Sequence, residues 1–164
     1  MMHIITGDGK GKTSAAAGMA LRMSAYGKSV LFAQLLKGSG SGEALAFGNI
    51  PNVTVKRLSR DYGFVWSMSD EDKAAVVREH NEILRTALDG DFNMIILDEA
   101  IPAMNMGLLD TELLFGVLEK NCEIVLTGRE PKAEILKKAD YISEIKKVRH
   151  PFDKGDAARE GIEY

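Results

Sequence analysis

TGDGKGKTS, residues Thr6 to Ser14, stands directly behind the apolar pair Ile4 and Ile5 and opens an alanine-rich segment. Strand, glycine loop and helix in that order form a cradle for phosphate groups. Glycines at 7, 9 and 11 allow backbone conformations and close approaches that side chains would block, so that successive N–H groups can converge on phosphate oxygens. Lys12 adds a mobile cation, Thr13 offers a hydroxyl to Mg²⁺, and the positive end of the helix that starts here favours an anion. The binding set read from this stretch is Gly7, Asp8, Gly9, Lys10, Gly11, Lys12, Thr13 and Ser14, and its ligand a nucleoside triphosphate. The usual spacing, G-x-x-x-x-G-K-[ST], puts Thr6 where the first glycine should stand, with Gly7 one place later, so the match is a variant. A chance glycine-rich turn is the bland alternative. A carboxylate pointing into the cradle would repel phosphate, so Asp8 is expected to face away and shape the turn.

The 164 residues suit one domain, 1–164, and no composition shift or Pro/Gly/Ser linker divides them. A formal charge of −3 and a pI near 5.7 give no global electrostatic reason to expect nucleic acid or an anionic membrane as partner. The one cysteine, Cys122, permits no internal disulfide and no cysteine cluster, which fits a reducing compartment. Met1 leads almost at once into a strand, so no secretion leader is expected, and no apolar run approaches membrane-spanning length. The cytoplasm is the expected location.

Beyond the cradle, a helix is predicted from Thr13 to about Tyr26, ended by Gly27, and then an apolar strand over Val30 to Leu36. The segment KGSGSG, Lys37 to Gly42, is too rich in glycine and serine for regular structure. Following a strand, it reads either as a mobile active-site loop or as an ordinary surface turn. Val53 to Leu58 is a third strand, and Ser69 with Asp72 marks the start of a long helix. Val76, Ile83, Leu84, Ala87 and Leu88 recur there at helical spacing, and His80 falls on the same stripe, as a packed histidine rather than a ligand. Met94 to Leu97 suits the centre of a parallel sheet. Asp110 caps a helix to about Lys120, Glu123 to Thr127 is another buried strand, and Pro131 opens a helix ending near Lys138. The last strand, about Tyr141 to Val148, carries charge suited to an edge. Strands alternating with helices make a doubly wound α/β sheet.

MIILDEA places Asp98 and Glu99 at the carboxyl end of a buried strand, the position that faces metal and triphosphate in a phosphate-loop fold. One of them is expected to hold Mg²⁺ opposite Thr13. Which one does so, the residues leave open, and acidic residues also follow strands for no special reason. RDYGFVWSMSD crowds Tyr62, Phe64 and the only tryptophan, Trp66, into a segment that polarity and Gly63 mark as loop. Either these rings plug the end of the sheet as core, the commoner outcome, or they line a site for a large, flat, apolar ligand. A base-stacking platform for single strands is disfavoured by the acidic balance and the lack of neighbouring basic clusters.

The cradle extended to TGDGKGKTSAAAG, Arg22 further along its helix, QLLKG at 34 to 38 with Gly42-Glu43, and GFVW at 63 to 66 form a series. It continues through Asp98-Glu99, LTGR at 126 to 129, ADYISEI at 139 to 145 and the terminus RHPFDKGDAAREGIEY. On these segments, nearly end to end, the chain resembles the phosphate-loop ATP:corrinoid adenosyltransferases of cobalamin synthesis and salvage. The resemblance implies a RecA-like α/β fold, a mostly parallel sheet with helices on both faces. It implies transfer of the 5′-deoxyadenosyl group of ATP to cobalt with release of inorganic triphosphate. Co(I), supplied by an external reductant such as a flavoprotein, is the nucleophile at the ribose C5′, so no serine, cysteine or histidine nucleophile is needed. ATP is expected to lie reversed in the cradle, exposing C5′ to the corrinoid. Lys12 and Thr13 act on the triphosphate, and Arg22 and Arg129 join the nucleotide site. Thr13 with Asp98 or Glu99 holds Mg²⁺. Phe64 and Trp66 pack on the corrin and displace its lower axial ligand, which makes Co(II) easier to reduce. Relatives form homodimers. Ala17 stands where many of them have phenylalanine, Ser14 replaces a second threonine, and no N-terminal extension covers the corrinoid, which is therefore expected to be more exposed or covered by a second subunit.

Two other functions share parts of this pattern. An ordinary phosphoryl transferase would use the same cradle with Arg129 as a catalytic arginine and would make ADP. A nucleotide-dependent switch or corrinoid carrier would bind without turnover.

Overall fold

MIILD, Met94–Asp98, is apolar at every position but its last, and such a strand leaves no face for water. It is strand β4, buried along its whole length. The computed structural model, which describes residues 1–38 and 41–162, sets five more strands beside it. These are β1 (Met2–Thr6), β2 (Val30–Gln34), β3 (Val53–Arg57), β5 (Glu123–Thr127) and β6 (Tyr141–Glu144). The sheet order is β3-β2-β4-β5-β1-β6 and every pairing is parallel. Helices α1 (Lys12–Ala25), α2 (Gly42–Phe47), α3 (Asp70–Asp89), α4 (Ala100–Asn105), α5 (Thr111–Leu118) and α6 (Ala133–Leu136) connect the strands.

Successive side chains of a strand point to opposite faces, and β4 shows what this does to the core. Ile95 and Leu97 join Leu31 and Leu126 in a cluster with α3, α4 and α5, whereas Met94 and Ile96 join Phe32 and Val125 against Ala16, Ala17 and Ala20 of α1. Helices thus cover both faces, as a doubly wound sheet requires. Gly27 takes a left-handed turn (φ 70°) just past α1, the conformation that commonly ends a helix. At the start of α3, Ser69 Oγ accepts the Asp72 N–H at 3.1 Å, with Asp70, Glu71 and Asp72 in the first turn.

His80 is fully buried on the inner stripe of α3. Its Nε2 accepts the Leu36 N–H at 3.2 Å, and its Nδ1 donates to the Leu108 carbonyl at 2.7 Å. The imidazole therefore ties the end of β2 to the loop after α4, and burial holds its pKa below the ordinary value of 6.5. A histidine with a depressed folded pKa gives its full stabilisation above the unfolded pKa, and that stabilisation is lost as pH falls through the window below about 6.5. His80→Ala should cost about 2–4 kcal/mol at pH 7.5, through a cavity and two unpaired backbone groups. The deficit relative to the parent should shrink at pH 5.5. Urea unfolding of both proteins at the two pH values measures this, and an unchanged deficit would remove the linkage.

Several boundaries differ from expectation. Strand β2 stops at Gln34 because Leu36 adopts a left-handed backbone (φ 65°). Gly42 lies inside a helix rather than an irregular loop, since Ser41 caps α2 by accepting the Ala44 N–H; residues 39 and 40 of that loop lie outside the described residues. Pro131 precedes α6 instead of opening it, with Lys132 at the cap, and the helix ends at Leu136. Strand β6 is an edge, exposed at all four positions, but ends at Glu144. There the Ile145 N–H still bonds the Thr6 carbonyl, and the chain then turns over the glycine loop.

Candidate active site

Strands β1, β2, β4 and β5 end on polar residues, Thr6, Gln34, Asp98 and Thr127, at the end of the sheet where open α/β folds bind ligands. Gly11, at φ 111°, leads into α1 with no side-chain cap and no acidic residue in the first turn. The orphan N–H groups and positive pole of that helix are left for an anion. Lys12 folds back so that its Nζ donates to the Gly9 carbonyl at 2.8 Å. Burial, then the nearby Arg129, lowers its pKa, while Glu99, Asp8 and Asp98 pull the other way.

Thr13 Oγ1 donates to Asp98 Oδ1 at 2.9 Å. Asp98 is wholly buried and is also reached by Thr127 Oγ1 at 2.6 Å, Gln34 Nε2 at 3.3 Å and Lys37 Nζ at 3.4 Å. Lys37 thus supplies the counter-charge that a buried carboxylate requires. The Gln34 Oε1 is buried with no hydrogen-bond partner among the described residues. Glu99 differs from its neighbour. It holds a left-handed backbone (φ 59°), donates its N–H to Thr127 Oγ1, and lines the cavity above the loop. Burial, and after it the Asp98 charge, pushes the Glu99 carboxyl up from the ordinary carboxylate range, partly offset by Lys37, Lys12 and Arg129.

The cavity, about 1240 Å³, is bounded by residues 8–14, Lys37, Ser41 to Glu43, Glu99, Arg129 and part of the C-terminal segment. Asp8 was expected to face away and shape the turn; its Oδ1 accepts the Lys147 N–H at 2.9 Å, while the residue still lines the cavity. Two of the loop glycines are required by the chain leaving β6. A Cβ on Gly7 would stand 2.3 Å from the Ile145 oxygen, and one on Gly9 2.8 Å from it. The Gly9 N–H donates to that same oxygen at 2.8 Å, so in this conformation it is not among the groups free to meet phosphate. Gly7 lines a smaller neighbouring cavity instead, together with Arg129.

Lys10, Gly11, Lys12, Thr13, Ser14, Glu99 and Arg129 are therefore brought together, with Asp98 beneath them. Arg22 is not. It is exposed in the last turn of α1, and ten residues at 1.5 Å each carry it about 15 Å along the helix from Lys12. Phe64 and Trp66 are 67% and 82% exposed and stack on each other with centroids 4.5 Å apart. They are not core. Tyr62 is the ring that packs inward, against the cluster of Leu58, Met68 and Val76, with its hydroxyl donating to Glu79 at 2.5 Å. The start of the aromatic loop reaches the neighbour of a cavity residue: Gly38, which follows Lys37, touches the Arg60 backbone so closely that a Cβ there would overlap its oxygen, while Phe64 and Trp66 themselves do not line the cavity. Gln34, Lys37, Thr127 and His150 lay in segments quoted for the resemblance but were given no site role from sequence, although a polar residue closing each apolar strand was a usable signal for Gln34 and Thr127.

A glycine loop between the first strand and its helix, closed on a threonine–aspartate pair at the end of a central parallel strand, defines a phosphate-loop α/β domain. The family model described as ATP:corrinoid adenosyltransferase BtuR/CobO/CobP matches residues 1–164, and the chain belongs to that family. It is 31% identical over 166 residues to the corrinoid adenosyltransferase of Escherichia coli (strain K12), covering 98% of this chain and 84% of that protein. The corrinoid adenosyltransferase CobA of Salmonella typhimurium (strain LT2) gives the same identity and coverage. The corrinoid adenosyltransferase of Pseudomonas aeruginosa is 29% identical over 170 residues, covering 100% of this chain and 83% of its own length. No helix among the described residues is long and apolar enough to cross a membrane.

Proposed function

We propose that this chain transfers the 5′-deoxyadenosyl group of ATP to the Co(I) centre of a corrinoid. The cobalt lone pair forms a bond to C5′ while the C5′–O bond breaks and its electrons leave with triphosphate. The family match gives the reaction class. The observation that favours corrinoid alkylation over phosphoryl transfer is the exposed, stacked Phe64–Trp66 pair, a flat apolar surface that an enzyme acting only on phosphates has no use for, on a loop whose Arg60 touches Gly38, next to the cavity residue Lys37. Lys12 and the N-terminus of α1 stabilise charge gathering on the leaving triphosphate, and the cavity holds C5′ in line with its attacker. The cobalt must arrive reduced, so an external electron donor such as a flavoprotein is part of the system.

The donor set suits Mg²⁺. The Thr13 hydroxyl and Asp98 carboxylate are hard oxygen ligands side by side, with Glu99 facing the same cavity. No cluster of three or more metal-ligating His, Cys, Asp or Glu side chains occurs among the described residues. That leaves room for water and phosphate oxygens, as Mg²⁺ prefers. We assign Thr13 and Asp98 to hold the ion, and Glu99 to orient its water. When bound, Mg²⁺ supplies neutralising charge to the triphosphate.

Product analysis tests the assignment. Incubation with ATP, Mg²⁺, a corrinoid and a chemical reductant should give a light-sensitive alkylcobalt spectrum and inorganic triphosphate in equal amounts. ADP as the product would move the chain to the phosphoryl transferases, and no product to the switches.

A further inference from the structure

The C-terminal segment carries a patterned sequence whose placement the adenosyl-transfer reading leaves unused. After β6 the chain is fastened to the phosphate loop at three points. Ile145 accepts the Gly9 N–H, Lys147 donates its N–H to Asp8, and the Ile145 backbone occupies the space that Gly7 and Gly9 leave open. Beyond these anchors Lys147, His150 and Phe152 line the main cavity. Ile145 is partly buried against the core on the α1 side, but from residue 146 on the described residues of the segment add no buried side chain, so packing does not explain why that part lies there.

The topology gives this wall a direction. Phe64 and Trp66 follow β3 at one edge of the sheet, whereas the C-terminal segment follows β6 at the opposite edge, next to β1 and its loop. If C5′ meets a corrinoid on the aromatic side, the phosphate attached to it lies on that side too. The terminal phosphate then lies toward β6. Among the described residues of this segment that line the cavity, His150 offers a donor group with no partner among the described residues. Its Nδ1 accepts the Phe152 N–H at 3.1 Å, which leaves the proton of the neutral ring on Nε2, a donor. Lys147 Nζ is already engaged by Asp153 at 2.9 Å.

We propose that His150 is a nucleotide-binding residue, donating from Nε2 to the terminal phosphate of ATP, and that the segment around it forms the wall that recognises a triphosphate. The assignment rests on the adenosyl-transfer reading, because that reading sets which end of the nucleotide faces β6. Binding of Mg²⁺ with ATP, ADP or inorganic triphosphate to the full chain, measured by calorimetry, tests it. His150→Ala should weaken ATP and inorganic triphosphate by about ten- to a hundredfold and leave ADP, which lacks the third phosphate, within about twofold of the parent. His150→Gln, which keeps an N–H donor, should recover part of the loss. Equal weakening of ATP and ADP would place His150 on the adenosine instead, and unchanged affinity for all three would remove it from the site. Either result overturns the proposal. Parent protein that makes no alkylcobalt product fails the functional reading itself, a separate outcome visible before any variant is made.

Discussion

Lys12→Ala should reduce adenosyl transfer by about 10³-fold, the upper end of what removing a single donor to a developing oxyanion costs in kcat. The side chain is buried and its ammonium sits over the loop on the Gly9 carbonyl, already placed where a polyanion would enter. Charge in a water-poor site acts more strongly than charge at a surface. Of the other lysines lining the cavity, Lys10 is exposed and Lys147 is paired with Asp153. Lys37 is held by Asp98, and Arg129 is exposed at the rim, with one nitrogen 3.4 Å from the Asp8 carbonyl. The loss should be the same whether the assay begins from Co(II) or from preformed Co(I), because Lys12 acts on the leaving group and not on the metal. Circular dichroism and a thermal melt check that the loop variant remains folded. Activity within about tenfold of the parent would mean that the helix N-terminus and Mg²⁺ carry the triphosphate alone, and would remove Lys12 from its assigned role.

The parts of this molecule that could be read from sequence are those where a local rule and the tertiary fold agree. The apolar run MIIL has to be a buried central strand, Ser69 with Asp72 has to start a helix, and His80 on an apolar stripe has to be packed; all three are so. Helices α2 and α4 were missed because each has only six residues and is fixed by its neighbours. Periodicity needs a longer stretch to show. Pro131 obeys a preference for helix starts, yet α6 begins two residues later, since the same backbone geometry also suits the approach to a helix. In the site, the cradle and the carboxylates were legible because their residue types are rare in that order. The second duty of Gly7 and Gly9 was not, because it depends on Ile145, more than 130 positions away, crossing the loop. Composition also misled. Aromatic rings are usually buried for their area, and of the three in this loop Tyr62 alone turns inward, partly buried; the sequence around Phe64 and Trp66 carries no mark that the sheet's end is already filled by Leu58, Met68 and Val76.

That exposure makes the paired change Phe64→Ala and Trp66→Ala the sharpest test of how the corrinoid is handled. Both rings stand in solvent and touch mainly each other, so their removal should shift stability by no more than about 0.5 kcal/mol. Activity should respond differently according to the starting oxidation state. Starting from Co(II) with a reductant of moderate strength, the double variant should lose about a hundredfold in rate, equivalent to roughly 2.7 kcal/mol of barrier. Starting from Co(I) made beforehand, it should stay within about tenfold of the parent, equivalent to at most about 1.4 kcal/mol. The asymmetry follows from what the rings are proposed to do. Displacing the lower axial ligand helps an electron reach cobalt, and once Co(I) exists that help has no further use. Equal losses in the two assays would assign the rings to corrinoid affinity alone. No loss in either would detach the pair from the corrinoid and remove the observation on which the choice of transfer over phosphorylation depends.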